Sequence, residues 1–221
     1  MSCAEVVSWL KRQASPKIRD GMARYGLPSD HALGIAVGTL KAEARRLGPD
    51  HALATALWKT GIYEARLMAS FVGEPAKLTV AQMNAWCRDF DNWGVCDTVC
   101  FALFDRTPLA WGRLTPWSRA KGEFQKRGAF ALLASLALHD KTSPDATFAP
   151  YLEHIETAAS DDRNFVKKGV VWALRGVGLR SAALQKQALG LAHRLKASDV
   201  PSERWVGREV ARELSKKVVK R

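Results

Sequence analysis

The sequence lacks any long apolar segment. No apolar run approaches the roughly 20 residues that a helix needs to cross a bilayer. The first residues, MSCAE at 1–5, also lack the basic start and apolar core of a secretory signal. Together these absences predict an intracellular, cytoplasmic protein that does not enter a membrane.

Cysteine is scarce, with Cys3, Cys87, Cys96 and Cys100 the four in the chain of 221 residues. Four are too few for a disulfide framework at this length. Cys96 and Cys100 lie four residues apart, on one face of a helix and without a nearby histidine, whereas zinc sites usually have the tighter Cys-x-x-Cys spacing. We therefore expect buried, reduced thiols and no bound metal.

Several enzyme signatures are missing as well. The chain has no phosphate-binding Gly-x-x-x-x-Gly-Lys-Ser/Thr, no dinucleotide-binding Gly-x-Gly-x-x-Gly and no His-Glu-x-x-His zinc motif. Its five histidines are scattered along the chain, which gives a histidine-based nucleophile triad little support. The sequence predicts neither a metal nor a cofactor.

What the sequence does have is the composition of a globular protein and an uneven positive charge. Hydrophobic residues make up 47% and charged residues 25%, which excludes a disordered or collagen-like chain. The net charge is +12, from 34 basic and 22 acidic residues. Residues 162–221 hold 15 of the basic and 5 of the acidic residues, a net of +10. A basic third on a nearly neutral body indicates a polyanionic partner, nucleic acid first, although a merely solvated surface has the same composition.

Helical periodicity runs through almost the whole chain. Segments 52–58 and 64–71 are dense in strong helix formers and place apolar residues three and four apart. Asp50 and Thr79 stand where they can cap helices. Strand alternation and hairpin signals are missing, so the predicted fold class is all-α.

Helix breakers divide this pattern into about a dozen segments of roughly 10 to 18 residues. They lie at Pro16, 26–28, 48–49, 73–75, 105–108, 143–144, Gly178 and 200–201. Short turns between such segments are typical of antiparallel helix pairs, and a unit of about 35 to 45 residues matches the HEAT type of repeat. We predict a single domain over 1–221, an α-solenoid of HEAT-like antiparallel helix pairs with a concave basic face. We see no separate oligomerisation segment and expect a monomer.

Three helical segments combine rings and charges. In 91–99, Asn92 can cap a helix on which Trp93 and Asp97 share one face. In 124–129, Phe124 and Arg127 share a face. In the third segment, 165–175, one side of the helix carries Lys168, Trp172 and Arg175. Each feature also has an ordinary explanation, because tryptophans at helical spacing usually belong to the core and basic residues to a solvated face.

The order and content of these segments resemble the AlkD-like DNA alkylation repair family, which is built from HEAT-like repeats. The resemblance covers roughly residues 20–215. It includes 22–25 and 34–41, with Lys41 at the end, then 57–59 and the helix at 63–66. The stretch 92–97 resembles the family's Trp-x-x-x-Asp, 125–127 its Gln-Arg or Arg-Arg segment, and 168–175 its Lys-x-x-x-Trp-x-Leu-Arg.

The resemblance implies a monofunctional DNA glycosylase for N3- and N7-alkylated purines that acts without flipping the lesion into a pocket. It implies that Trp93 and Trp172 pack against the damaged nucleotide, that Asp97 lies close to the anomeric carbon, and that Arg127 contacts the DNA backbone. The partner is then double-stranded DNA carrying alkylated bases, and the location is the nucleoid. We expect further DNA contacts from Phe124, Lys126, Lys167, Lys168, Arg175 and Lys41.

Some positions depart from the family pattern, and two other functions stay open. Phe124 stands where some relatives have tryptophan, and Gly38 where the family often has proline. The first alternative function is a non-catalytic solenoid that binds damaged or bent duplex, or structured RNA. The second is a protein-interaction scaffold, which does not explain the charge. Arg180 is expected to add salt-dependent affinity with Lys168 and Arg175. The basic end, 216–221, either contacts DNA or frays, and fraying is the expectation.

Overall fold

The computed structural model describes residues 1–27, 30–217 and 219. Within the predicted breaker at 26–28, Pro28 lies outside the described residues, as do Val218, Lys220 and Arg221 of the predicted basic end. The chain forms two compact units, Met1–Thr107 and Pro108–Arg221. The single domain over 1–221 stays a prediction.

The first unit is a series of helices joined by short connections. Its α-helices are α1 (Cys3–Arg12), α2 (Pro16–Met22), α3 (Val37–Leu47), α4 (His51–Trp58), α5 (Tyr63–Val72), α6 (Val80–Arg88) and α7 (Trp93–Ala102). Short 3-10 helices lie at Ala23–Tyr25, Pro75–Lys77 and Phe104–Arg106. Helix α5 packs against α3, α4 and α7, so it forms the centre of this unit.

Side-chain caps start several of these helices where the sequence predicts them. The Asp50 carboxylate accepts from the Leu53 amide at 2.9 Å, and the Thr79 hydroxyl accepts from the Gln82 amide at 3.1 Å. Such caps satisfy backbone N–H groups that have no partner inside the helix. Both predicted caps are confirmed.

Two stacked tryptophans fill the core of the first unit. Trp58 and Trp86 lie parallel, with ring centroids 4.1 Å apart. The Trp58 indole N–H donates to Asp89 Oδ2 at 2.8 Å, so its polar atom is satisfied at the edge of the core. Both rings are buried, as is usual for a tryptophan at helical spacing.

The second unit repeats the helical pattern. It contains a short 3-10 helix at Pro108–Ala110 and the α-helices α8 (Trp111–Ser118), α9 (Glu123–His139), α10 (Asp145–Phe148), α11 (Tyr151–Ala158), α12 (Asn164–Gly178), α13 (Ala182–Lys196) and α14 (Pro201–Leu214). Helix α12 packs against α9, α11, α13 and α14. Helix α9 is buried almost continuously from Arg127 to Ala137, as expected of a helix that is apolar on all sides.

Glycine allows the closest approach between helices in the second unit. A Cβ at Gly207 of α14 would lie 2.3 Å from the Lys196 amide nitrogen and 2.6 Å from the Ala192 carbonyl oxygen of α13. Backbone atoms cannot move away as a flexible side chain can. Only glycine therefore fits this contact between α13 and α14.

The described residues contain no strand, which confirms the all-α prediction. The part of the chain that the structure describes also has no helix long and apolar enough to span a membrane. Cys87, Cys96 and Cys100 are buried, as predicted, and burial raises the pKa values of the Cys87 and Cys100 thiols. Cys3 departs from the prediction because it is half-buried at the start of α1.

Candidate functional site

Helix α7 carries the first predicted motif at its beginning. The Asn92 side chain caps the helix by accepting from the Val95 amide at 2.9 Å. Gly94, Val95, Cys96, Val99 and Cys100 form its buried side. Trp93 and Asp97 are half-buried on the other side, one helical turn apart. The structure thus brings the predicted ring and carboxylate together on one accessible face.

The orientation of Trp93 depends on a contact with a distant part of the first unit. Its indole N–H donates to the Tyr25 carbonyl oxygen at 2.9 Å. Tyr25 itself is 72% exposed, so this bond lies at the surface. A hydrogen bond at the ring edge leaves the indole faces available for stacking.

A tyrosine that the sequence did not single out lies beside this motif. A Cβ at Gly94 would lie 2.5 Å from the Tyr63 hydroxyl oxygen and 2.9 Å from Leu27 Cδ2. Tyr63 is therefore packed directly against the first turn of α7. Burial, followed by the negative charges of Glu64 and Asp97, raises the pKa of Tyr63 to about 12. Its hydroxyl is thus protonated at neutral pH, close to Asp97.

In the second unit, predicted residues gather around Phe165 at the start of α12. Its ring lies 5.2 Å from that of Phe124, centroid to centroid, and the Lys168 ammonium lies 6.0 Å from its centroid. Its backbone N–H donates to Glu123 Oε1 at 3.0 Å, and its carbonyl accepts from Arg127 Nη1 at 2.6 Å. Two residues of α9 thus hold the backbone from which the Phe165 ring projects.

Arg127 is only 6% exposed, and its guanidinium donates to the Phe165 carbonyl. Lys126, the neighbouring predicted DNA contact, forms an ion pair with Asp161 at 2.9 Å. Asp161 also accepts from Arg163, and hydrogen bonds from Arg163 and then Lys126 lower the pKa of its carboxyl. The DNA contacts of Lys126 and Arg127 stay predictions.

Trp172 borders a cavity of about 1000 Å³ in the second unit. The half-buried Trp172 shares its wall with Arg175, one turn further along α12, and with the exposed side chain of Leu138. Arg175 forms an ion pair with Glu213 of α14. Burial raises the pKa of Glu213, but hydrogen bonds from Arg175 and then Lys217 lower it below its ordinary value. Trp172 and Arg175 lie on one side of α12, as the spacing predicts.

Arg180 is a further basic residue of this unit that contacts its surroundings. The Arg180 guanidinium donates to the carbonyl oxygens of Ala137, Asp140 and Ser143. It also lies 3.8 Å from the Phe148 ring centroid. We therefore expect Arg180 to support the turn after α9 rather than to contact DNA.

The remaining predicted cations rest on aromatic rings. Lys167 Nζ lies 5.2 Å from the Trp205 ring centroid in the second unit. In the first unit, Lys41 Nζ lies 5.5 Å from the Phe71 centroid at the edge of a second cavity. Lys41 and Lys168 are exposed and Lys167 is half-buried.

The comparisons with known proteins bear on the family and the fold. A family model described as DNA alkylation repair enzyme matches residues 6–202. This chain belongs to the DNA alkylation repair enzyme family. The resemblance seen in the sequence is thereby confirmed.

A solved structure supports the same fold at low sequence similarity. It is described as a new family of proteins related to the HEAT-like repeat DNA glycosylases, with affinity for branched DNA structures. The TM-score is 0.79 at 16% identity, and the match covers 96% of this chain and 95% of the other. No curated protein matches the sequence. The HEAT-like helical fold is therefore confirmed.

Proposed function

We propose that this member of the family is a DNA N-glycosylase that removes N3- and N7-alkylated purines from duplex DNA. The observation that supports this most is the accessible pair Trp93 and Asp97. The two residues lie one turn apart on α7, the helix that Asn92 caps. An indole and a carboxylate side by side suit a reaction that develops positive charge on a sugar. Membership of the DNA alkylation repair enzyme family indicates that the sugar belongs to DNA.

The substrate itself lowers the chemical demand on the enzyme. A purine alkylated at N3 or N7 carries a positive charge, so it leaves as a neutral base when the C1′–N bond breaks and the bonding electrons move to the ring. No general acid is needed to protonate it. The sugar is left with oxocarbenium character, as in other glycoside cleavages. A water molecule then adds to C1′ and loses a proton.

Asp97 is proposed to act at this sugar. Its carboxylate stabilises the developing cation and orients the attacking water, and it can accept the proton that the water loses. The neutral Tyr63 hydroxyl and the hydrogen-bonded Trp93 ring are proposed to keep this carboxylate in position. No metal, cofactor or covalent intermediate is required.

The two tryptophans Trp93 and Trp172 are proposed to contact the damaged nucleotide. Indole faces attract cationic groups and pack against deoxyribose, and both side chains are accessible in their own units. Recognition at the sugar and backbone does not require the base to be turned out of the duplex into a pocket, as most glycosylases require. We therefore propose an enzyme without base flipping.

Backbone contacts are proposed for the predicted basic and aromatic residues. Lys41, Lys167 and Lys168 form no ion pair among the described residues and are the first candidates for phosphate contacts. Phe124, Lys126, Arg127 and Arg175 follow, and an ion pair or hydrogen bond of the last three would have to rearrange or be shared with phosphate. A nucleoid location goes with such a partner.

The test is release of 7-methylguanine and 3-methyladenine from methylated duplex DNA, with wild type beside Asp97→Asn. We expect the variant to lose at least about 100-fold in the rate of release, since a carboxylate aimed at the developing charge is removed. Duplex binding should largely survive. Asp20→Asn, at an exposed carboxylate of the same unit, is the matched control and should release both bases at the wild-type rate. Release by Asp97→Asn at the wild-type rate would rule out Asp97 as the catalytic carboxylate.

A second candidate is a protein that binds damaged, bent or branched DNA without cutting it. The solved structure with the same fold favours this candidate, since that protein is described as having affinity for branched DNA structures. Wild-type protein that binds duplex but releases neither methylated base would support it. The same result would count against the glycosylase.

A further inference from the structure

A second cavity lies within the first unit, away from the turn of α7 that carries Trp93. Its volume is about 530 Å³, within the range of small-ligand sites. Five side chains of its lining carry a positive charge or an aromatic ring. They are Lys41 and Arg45 of α3, Phe71 of α5, Phe101 near the end of α7 and Arg106 of the 3-10 helix that follows.

The charge around this cavity is of one sign. Lys41, Arg45 and Arg106 are all exposed at its wall, and no acidic residue of the described part of the chain lines it. Among the described residues none of the three forms an ion pair. The nearby Glu43 does not neutralise them, because its carboxylate is held by Arg46, with Arg46 Nε at 2.9 Å. Three cations converging on one recess attract an anion.

The same recess offers two aromatic rings. Phe71 is half-buried and has the Lys41 ammonium 5.5 Å from its centroid. Phe101 is 36% exposed, although an apolar ring of this size is more often buried. It stands four residues after Asp97, so both lie on the same side of α7. The accessible face of the helix thus runs from Trp93 through Asp97 to this cavity.

Rings and cations in one recess have a specific chemical partner. A phosphate alone needs only the cations, and an apolar group needs only the rings. A nucleotide that is not base-paired presents both a flat π face and a phosphate, and proteins that hold single strands combine basic grooves with stacking rings. A paired base in a duplex has its faces covered by its neighbours and cannot stack on a side chain.

We propose that this cavity binds an unpaired nucleotide of a DNA strand. Its base stacks on Phe101 beside Phe71, and its phosphate lies among Lys41, Arg45 and Arg106. The inference rests on the proposed function only in taking DNA as the polymer. It extends the substrate to DNA with a single-stranded stretch next to the duplex that carries the lesion.

The test measures binding of fluorescently labelled DNA to the full chain. The probes are a short oligothymidylate, an abasic strand of equal length and a blunt duplex. We expect Phe101→Ala to weaken oligothymidylate binding at least about fivefold, since stacking of one base contributes this much or more. Binding of the abasic strand and of the duplex should change little. Phe101→Trp, which keeps an aromatic face, should restore oligothymidylate affinity, whereas Phe101→Leu should not.

The cations are tested by a triple variant and a matched control with the same loss of charge in the same unit. The test variant carries Lys41→Gln, Arg45→Gln and Arg106→Gln, and the control carries Arg12→Gln, Lys59→Gln and Arg88→Gln at exposed positions. We expect a greater loss of oligothymidylate affinity and a smaller salt dependence in the test variant than in the control.

Three results would overturn the assignment. Phe101→Ala could weaken all three probes equally, which would mean a contact with the backbone or a disturbed fold. The triple variant could bind oligothymidylate as the control does. Thymidine 5′-monophosphate could compete as well as an equal concentration of nucleotide in the strand, which would make the ligand a free nucleotide. Base release by Asp97→Asn from a blunt methylated duplex tests the glycosylase separately, so the two proposals can fail independently.

Discussion

Basic side chains of the second unit differ in what they contact, although all have the same charge. Lys126 and Arg175 pair with carboxylates, Arg127 with a backbone carbonyl and Arg180 with three carbonyls, whereas Lys168 is exposed above a ring. A buried cation without a partner is very unfavourable, so such groups are found hydrogen-bonded. We therefore expect cations with protein partners to contribute mainly to stability, and exposed cations such as Lys168 to contribute mainly to DNA binding.

Arg127 is the clearest case for a structural contribution. Replacing Arg127 by Met keeps an unbranched side chain at this buried position but removes the guanidinium hydrogen bond to the Phe165 carbonyl. We expect the free energy of unfolding to fall by about 1.5–3 kcal/mol, the usual contribution of a hydrogen bond from a charged group. Urea denaturation measures it. Lys168→Met, at an exposed position of the same cluster, is the control and should change stability by about 0.5 kcal/mol or less. Equal effects in both variants would contradict this account.

Residue identity alone does not reveal these differences. The sequence correctly places Trp93 with Asp97, and Lys168 with Trp172 and Arg175, because partners one turn apart on a helix are set by local geometry. Tyr63 received no role, since its contact with Gly94 joins α5 to α7 across 31 positions of the chain. The signal available was its place in the 63–66 helix, which carries the family resemblance.

At the scale of elements, the start of α7 depends on its fit against α5. The Asn92 cap fixes where the helix begins, and Gly94 sets how closely it approaches Tyr63. A rigid phenol cannot move away as the end of a flexible side chain can. A bulkier residue at position 94 would therefore shift the turn that carries Trp93 and Asp97.

Gly94→Ala tests this dependence. The added Cβ would lie 2.5 Å from the Tyr63 hydroxyl oxygen, so we expect a loss of about 1–3 kcal/mol in stability and slower base release. Combining it with Tyr63→Phe removes the hydroxyl and should recover part of both losses. Thermal unfolding and release of 7-methylguanine are the measurements.

Gly190→Ala in the interior of α13 is the control. Apart from the neighbouring backbone of α13, no atom of the described residues lies within 4 Å of a Cβ at this position, so the substitution should stabilise the protein by up to about 1 kcal/mol through helix propensity alone. If Gly94→Ala behaved in the same way, the contact with Tyr63 would not determine the position of α7.

For the molecule as a whole, the charge of +12 predicts DNA affinity that decreases as salt increases. Only cations that meet phosphates contribute to that dependence. Lys168→Gln and Arg180→Gln remove the same charge, but we expect only the first to reduce the slope of log affinity against log salt, by about 1. Arg180→Gln should instead lower the melting temperature, since three carbonyls lose their donor. Fluorescence anisotropy over a salt series measures the slopes. Equal slopes for the two variants would show that their charges act only at long range.

The amino-acid sequence is sufficient to predict the helical class, the caps at Asp50, Thr79 and Asn92, the family and the excess of positive charge. These follow from periodicity, capping and composition, which are properties of neighbouring residues or of the whole chain. Which cations are paired depends on the fold, because the partners of Lys126, Arg127 and Arg175 lie 35 to 38 residues away along the chain. The same holds for the recess around Phe101, whose wall is assembled from α3, α5 and α7. Side chains separated by this much sequence come together only when packing of the apolar helix faces fixes the distance between them.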